Sequence, residues 1–358
     1  MQFFFQKKNW LIVFLFFGSS FLSYRFFVAQ YQTALLTKNS TLIENQPAEL
    51  TTAAEKITAE YGEFAELTIP VIKTIPLDRS PLKIEETVAK KSNYTEYRAS
   101  YLAEGYRIYG LLTIPDGAQL SSTPAVIFIH GYIPPQIYKT NQRYLDYVDY
   151  LASSGLIVFK LDLRGHDQSE GEAAGAYFSN DYVLDVLNAV ESIKTLPEVA
   201  AEKISLWGHS MAGNIVARSI AVNPNIKAGV IWAGAVYSYS DMREYGINDS
   251  SFRREDLPRE HQPSRADLFA KVGELDSGSK FWQLVSPISW LKNYPGEIQL
   301  HHAVDDQTVS IAYSRNLVAL LQDSSVNLKL FEYPSGGHDL EGSVFNQAMA
   351  RSVEAFTR

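Results

Sequence analysis

The chain has 358 residues, is 46% apolar and 20% charged, carries a formal net charge of −8 and contains no cysteine. Such a chain buries a large core without disulfides or metals. The lack of cysteine excludes a thiol nucleophile, a disulfide framework and a Cys-based zinc site, and the acidic balance argues against nucleic acid as a partner.

In chain order, Lys7 and Lys8 precede an apolar stretch that begins at Trp10 and continues to Tyr24, with Arg25 interrupting it before Phe26, Phe27 and Val28. A charged start followed by such a stretch reads as a membrane anchor or an export signal over residues 1–30, with the rest of the chain outside the cytoplasm. Residues 31–90 are polar, with prolines at 47, 70, 76 and 81, and read as a linker or N-terminal extension holding one short helix over 48–60. Alternation over 94–114, broken at Glu104-Gly105, predicts a β-hairpin. A continuous apolar strand then follows at 125–129, with further strands at 156–161, 204–208, 228–233, 297–302 and 328–333. Helical stretches at 141–154, 177–196, after 210, 311–322 and 342–356 separate them. Unbroken apolar strands alternating with helices predict an α/β fold, a mostly parallel sheet covered on both faces. This domain then spans 91–358. Residues 235–295, rich in Arg, Asp, Glu, Tyr and Ser, break the alternation and read as a mostly helical cap over the site.

The chemistry centres on Trp207-Gly208-His209-Ser210-Met211-Ala212-Gly213. A strand stops at a glycine, a serine follows, and a helix begins. This is the context of a nucleophile elbow, whose sharp turn lifts the serine hydroxyl above the sheet. Ala212 stands where the full pattern has its second glycine. A serine hydroxyl is a poor nucleophile at neutral pH and needs a base oriented by a carboxylate. His338, after Gly336-Gly337 at the end of the last strand, is the expected base. Asp305, at the end of the strand over 297–302, is the expected acid, with Asp306 in reserve as a helix cap. The backbone N–H groups of Met211 and of Tyr132, in the loop His130-Gly131-Tyr132, are the expected oxyanion donors. His209 is expected to point away from the reaction, His301 and His302 to pack at a strand end, and His166 and His261 to lie on loops.

These motifs, in the order serine, acid, histidine, resemble the α/β-hydrolase superfamily over about residues 94–358. The resemblance is to the catalytic domain of the prolyl-oligopeptidase family and to dienelactone-hydrolase-like esterases. Asp162-Leu163-Arg164-Gly165-His166-Asp167-Gln168-Ser169 is similar to a loop of those enzymes, with Asp167 where a second glycine is usual. Ser286-Pro287 and the hairpin ending in Pro115 are further points of likeness. The resemblance also favours Asp305 over Asp306. Two departures favour an esterase over a peptidase. The chain has no room for a β-propeller, and Gln307 stands where the peptidase branch often has arginine.

The expected activity is that of a serine hydrolase cleaving an ester or other acyl bond of a small molecule. A peptidase with a peptide substrate is the alternative, and an inactive binding protein on the same fold is the reading from another class. Water completes such a cycle, so no metal or organic cofactor is expected. The aromatics Tyr237, Tyr239, Tyr245, Phe281 and Trp282 are expected either to line an acyl pocket or to hold the cap down. Among the cap arginines are Arg243, Arg253, Arg254, Arg259 and Arg265. They are expected on a solvated face or against a substrate carboxylate.

Overall fold

The computed structural model describes residues 48–173, 176–253 and 265–358. Segment 1–30, Arg254, Arg259 and His261 lie outside the described residues. Among those described, no helix is long and apolar enough to cross a membrane.

Among the described residues, nine strands form one sheet: β1 (Lys83–Lys90), β2 (Tyr94–Ala103), β3 (Tyr106–Pro115), β4 (Thr123–Ile129), β5 (Ile157–Leu161), β6 (Val199–His209), β7 (Ala228–Trp232), β8 (Glu297–Ala303) and β9 (Asn327–Tyr333). Their order across the sheet is β1-β2-β3-β5-β4-β6-β7-β8-β9. The first three are antiparallel, β3 meets β5 antiparallel, and the rest run parallel. Glu104 (φ 52°) and Gly105 (φ 79°) turn the hairpin between β2 and β3. Both central residues are left-handed, as a two-residue hairpin turn requires.

The alternation of side chains along each strand divides the core into two layers. Ile127, Ile129, Phe159, Leu161 and Leu206 face one way and pack on α4 (Asp181–Ile193) and α5 (Ala212–Val222). Val126, Phe128, Val158, Trp207, Val230 and Trp232 face the other way. They pack on α3 (Leu145–Ser153) and α11 (Ser343–Thr357). The central strands β4, β5 and β7 are buried almost throughout and read as mostly apolar runs because both faces are covered, whereas edge strand β9 is only partly buried and carries Lys329 and Glu332.

Residues 48–90, expected as a polar linker or N-terminal extension, are built into the fold as an extension. They form α1 (Ala48–Tyr61), a 3-10 turn (Gly62–Leu67), α2 (Ile69–Ile72) and edge strand β1. Phe64, Leu67, Ile69 and Ile72 are buried in the first core layer. The fully buried guanidinium of Arg218 donates to Leu67 O and Ser179 O, each at 2.8 Å. Asp78 N–H donates to Asn188 Oδ1, and Leu82 N–H to Thr195 Oγ1. The segment is polar on average because a few apolar anchors and these hydrogen bonds hold it, rather than a periodic stripe.

The described part of the cap is helical: α6 (Tyr239–Tyr245), α7 (Arg265–Val272), α8 (Lys280–Val285) and α9 (Ile288–Leu291). The helix α10 (Ala312–Leu321) then connects β8 to β9. Tyr237, Tyr239, Phe281 and Trp282 are buried, with Tyr239 stacked on Trp282 at 5.1 Å. These four hold the cap down instead of lining open space. Tyr245 packs edge-on against Tyr313 of α10. Arg265 lies over the Phe178 ring at 4.2 Å.

Candidate active site

Ser210 occupies the turn between β6 and α5 with φ 55°, a left-handed value that costs a serine about 1–2 kcal/mol. Its N–H donates to Trp232 O at 2.8 Å, and its carbonyl accepts from Gly213 N–H at 2.9 Å. These bonds keep the turn strained. The close approach of α5 to β6 explains Gly208: a Cβ there would lie 2.7 Å from Val216 Cγ2 and 3.0 Å from Ala212 Cβ. Met211 precedes the helix, so its N–H belongs to the first turn, where helical N–H groups lack intrahelical partners and suit an anion.

His338 reaches the elbow from the loop after β9. Its ring lies 4.6 Å, centroid to centroid, from the ring of His209, the residue before Ser210. Its Nδ1 is 2.8 Å from Asp306 Oδ2. Asp306, not Asp305, therefore meets the histidine. Asp305 is exposed, and its Oδ1 accepts Gly337 N–H at 2.9 Å, so it ties the acid loop to the histidine loop. The physical reason is the turn after Ala303. Val304 N–H still pairs with Tyr333 O, and the chain then bends at Val304 and Asp305 and carries Asp306 inward. Asp306 also caps the following segment, its Oδ1 accepting Thr308 N–H at 2.8 Å and Val309 N–H at 3.0 Å. One side chain thus makes both the histidine contact and the cap that sequence reasoning divided between two.

Burial alone would raise the Asp306 carboxyl. Hydrogen bonds from His302 and His338, the His338 charge and the Val309 N–H outweigh it, and hold the group well below the usual carboxylate range. His302 is the residue that sequence reasoning missed. Its Nε2 lies 3.3 Å from Asp306 Oδ2 and 2.9 Å from Val309 O, while Nδ1 meets Ser314 Oγ at 2.8 Å. It steadies the carboxylate from behind. His301 faces away, onto Tyr333 and Gln299. The only signal for His302 was its spacing of four residues from Asp306.

The loop after β4 carries Gly131 and Tyr132. Gly131 N–H donates to Tyr144 Oη at 3.1 Å, which leaves Gly131 no role as an oxyanion donor and is compatible with the choice of the next residue, Tyr132. The Tyr132 ring packs edge-on against Phe252 of the cap at 5.2 Å. Asn248 N–H of the cap donates to Thr308 O beside the acid.

The loop over 162–171 braces this region from below. Arg164 forms a forked pair with the fully buried Asp185, at 2.9 and 2.7 Å. Asp162 accepts from Tyr138 Oη and Thr140 Oγ1. Asp167, where a glycine was usual, does adopt a left-handed φ of 48°. Contacts from Lys139 Nζ and Thr140 Oγ1 to its carboxylate offset that strain. Among the described residues, no group of three or more His, Asp or Glu side chains is placed to hold a metal ion.

The sheet order, the elbow on β6 and the histidine after β9 are those of the α/β-hydrolase fold. The family described as serine aminopeptidase, S33, matches residues 121–251, and that described as BAAT / acyl-CoA thioester hydrolase C terminal matches 187–355. Both matches support a hydrolase. Among curated proteins, the chain is 25% identical over 145 residues to the polyketide transferase claH of Penicillium crustosum, and 36% identical over 90 residues to a monoglyceride lipase homolog of Monkeypox virus. Those matches cover 40% and 25% of this chain but only 46% and 32% of the relatives' own length. Among solved structures, an acetyl xylan esterase from Paenibacillus sp. R4 is similar with TM-score 0.59 and 17% identity, over 87% of this chain and 95% of that one. An acylaminoacyl peptidase of Pyrococcus horikoshii is similar with TM-score 0.54 and 18% identity, over 74% of this chain and 41% of that one. At such identities the likeness is one of fold.

Proposed function

We propose that the protein is a serine hydrolase that cleaves an ester or related acyl bond through an acyl-enzyme intermediate. The observation that carries this reading is the 2.8 Å contact between His338 Nδ1 and Asp306, on a histidine whose ring adjoins the elbow. Ser210 attacks the acyl carbonyl, and His338 Nε2 takes its proton. Asp306 keeps the His338 proton on Nδ1 and faces the imidazolium that forms. The N–H groups of Met211 and Tyr132 hold the oxyanion, each worth about a hundredfold or more in rate. His338 then protonates the leaving group, and water repeats the sequence to release the acid.

The test is turnover of a p-nitrophenyl ester series by the wild type and by Ser210→Ala. Loss of about 10³-fold or more in kcat supports the reading, and unchanged turnover sinks it. The peptidase reading draws on the serine aminopeptidase family match. Cleavage of a chromogenic dipeptide at a rate comparable with the esters would move the assignment there. The neutral Gln307, whose amide turns back onto the Asp305 carbonyl, favours the ester. The proposal places this domain outside the cytoplasm behind the apolar segment at residues 10–28. Recovery of the full chain in the soluble cytoplasmic fraction would overturn that part alone.

A further inference from the structure

Three loops that carry the proposed machinery meet at two side chains outside the triad. Gly131 N–H, next to the proposed oxyanion donor, lies 3.1 Å from Tyr144 Oη. Tyr144 Oη lies 2.8 Å from His209 Nδ1. His209 Nε2 lies 2.9 Å from the carbonyl oxygen of His338. The packing is close: a Cβ on Gly131 would sit 2.8 Å from Tyr144 Oη and 3.1 Å from His209 Nδ1.

Donor and acceptor chemistry orders every proton in this chain. A backbone carbonyl only accepts, so His209 Nε2 carries a hydrogen. The Asp339 carboxylate, 3.6 Å from the same nitrogen, asks for the same tautomer. A neutral imidazole with its hydrogen on Nε2 accepts at Nδ1, so Tyr144 O–H donates to it. The Tyr144 oxygen is then the acceptor for Gly131 N–H. Burial and the nearby His338 push His209 down to about 4, which keeps it neutral, and burial keeps Tyr144 a phenol. Tyr144 holds φ 61° just before α3, so backbone strain is spent to aim this hydroxyl.

We propose that Tyr144 and His209 are positioning residues that lock the oxyanion loop to the base loop through this one-way chain of hydrogen bonds. Neither touches the reacting atoms. They set the distance between the oxyanion donors and His338, on which kcat depends steeply. The inference rests on the serine-hydrolase reading and deepens it.

The test is steady-state kinetics on Tyr144→Phe, His209→Gln, His209→Leu and the Tyr144→Phe/His209→Leu double variant, with ¹⁵N NMR of the wild-type histidines. Tyr144→Phe should lower kcat by about tenfold with KM within about twofold, the size of one lost hydrogen bond. His209→Leu should lower kcat by about a hundredfold. His209→Gln should recover part of it, because the amide places an N–H near the position of Nε2. The double variant should be no worse than His209→Leu alone, because both substitutions cut the same chain. NMR should find the His209 proton on Nε2 and the His338 proton on Nδ1. Variants within twofold of wild type, a loss carried by KM alone, or a His209 proton on Nδ1 would overturn the inference. Fluorophosphonate labelling of Ser210 in the wild type keeps the two levels apart. Without labelling the serine-hydrolase reading fails, whereas labelling with unaffected variants defeats the positioning role only.

Discussion

Replacing Asp306 with asparagine is the sharpest test of how the site is wired. Thr308 and Val309 donate N–H groups to Oδ1 at 2.8 and 3.0 Å, and backbone donors cannot be reversed. An asparagine at 306 therefore turns its carbonyl toward them. Its NH₂ then occupies the Oδ2 position, facing His338 Nδ1 and His302 Nε2. Donor would face donor. His338 escapes by moving its proton to Nε2, the nitrogen that must accept the Ser210 proton. The wrong tautomer in a triad costs about 10⁴-fold in kcat, or about 5.5 kcal/mol of barrier. Asp305→Asn keeps a carbonyl for Gly337 N–H and should stay within about threefold of wild type, as expected for one neutral hydrogen bond. Both variants are assayed on the same p-nitrophenyl ester, with circular dichroism to show that they fold. A larger loss from Asp305→Asn, or equal losses, would refute the reasoning.

Stability should fall in acid. His209 is pushed down to about 4 by burial and by His338, below the value of about 6.5 for an unfolded histidine. Between those values the unfolded chain binds a proton that the fold refuses, so unfolding free energy decreases as pH drops from about 6.5 toward 4. Urea midpoints across this window should show the slope, and His209→Gln should make it shallower. Gly208→Ala puts a Cβ 2.7 Å from Val216 Cγ2 and should destabilise by about 1–3 kcal/mol, read as a lower Tm. Arg164→Met leaves the buried Asp185 with the residue-164 backbone N–H but without its charged partner, and should cost about 3–5 kcal/mol in urea unfolding. Pairing it with Asp185→Leu should recover most of that loss.

Much of the fold is legible because parallel strands covered on both faces must be apolar throughout. Such runs at β4, β5 and β7 leave few alternatives. The N-terminal segment hid for the same reason in reverse. β1 is an edge strand with mostly exposed residues, Lys83 to Lys90, and no apolar alternation. Its neighbours are held by Arg218 and Asn188, which sit more than a hundred positions later in the chain. Contacts of that kind leave no local pattern.

Ser210 and His338 are legible because each sits at a fixed topological place, a strand end followed by a glycine-bearing turn. The acid is different. Two adjacent aspartates satisfy the same chain order, and only the bend after Ala303 decides which one turns inward. That bend depends on Val304 pairing with Tyr333 across to β9, a long-range contact. Once it is made, the Asp306 carboxylate gains two backbone donors and two histidines, and the Asp305 carboxylate gains Gly337 N–H. His209 follows the same logic. Its place beside the nucleophile suggested a side chain turned away from the reaction. What it turns toward, Tyr144 on one side and the His338 carbonyl on the other, is set by two loops 65 and 129 positions away. Residues proposed to carry the chemistry are thus readable from local motifs. Those that aim it depend on which loops the sheet brings to one edge.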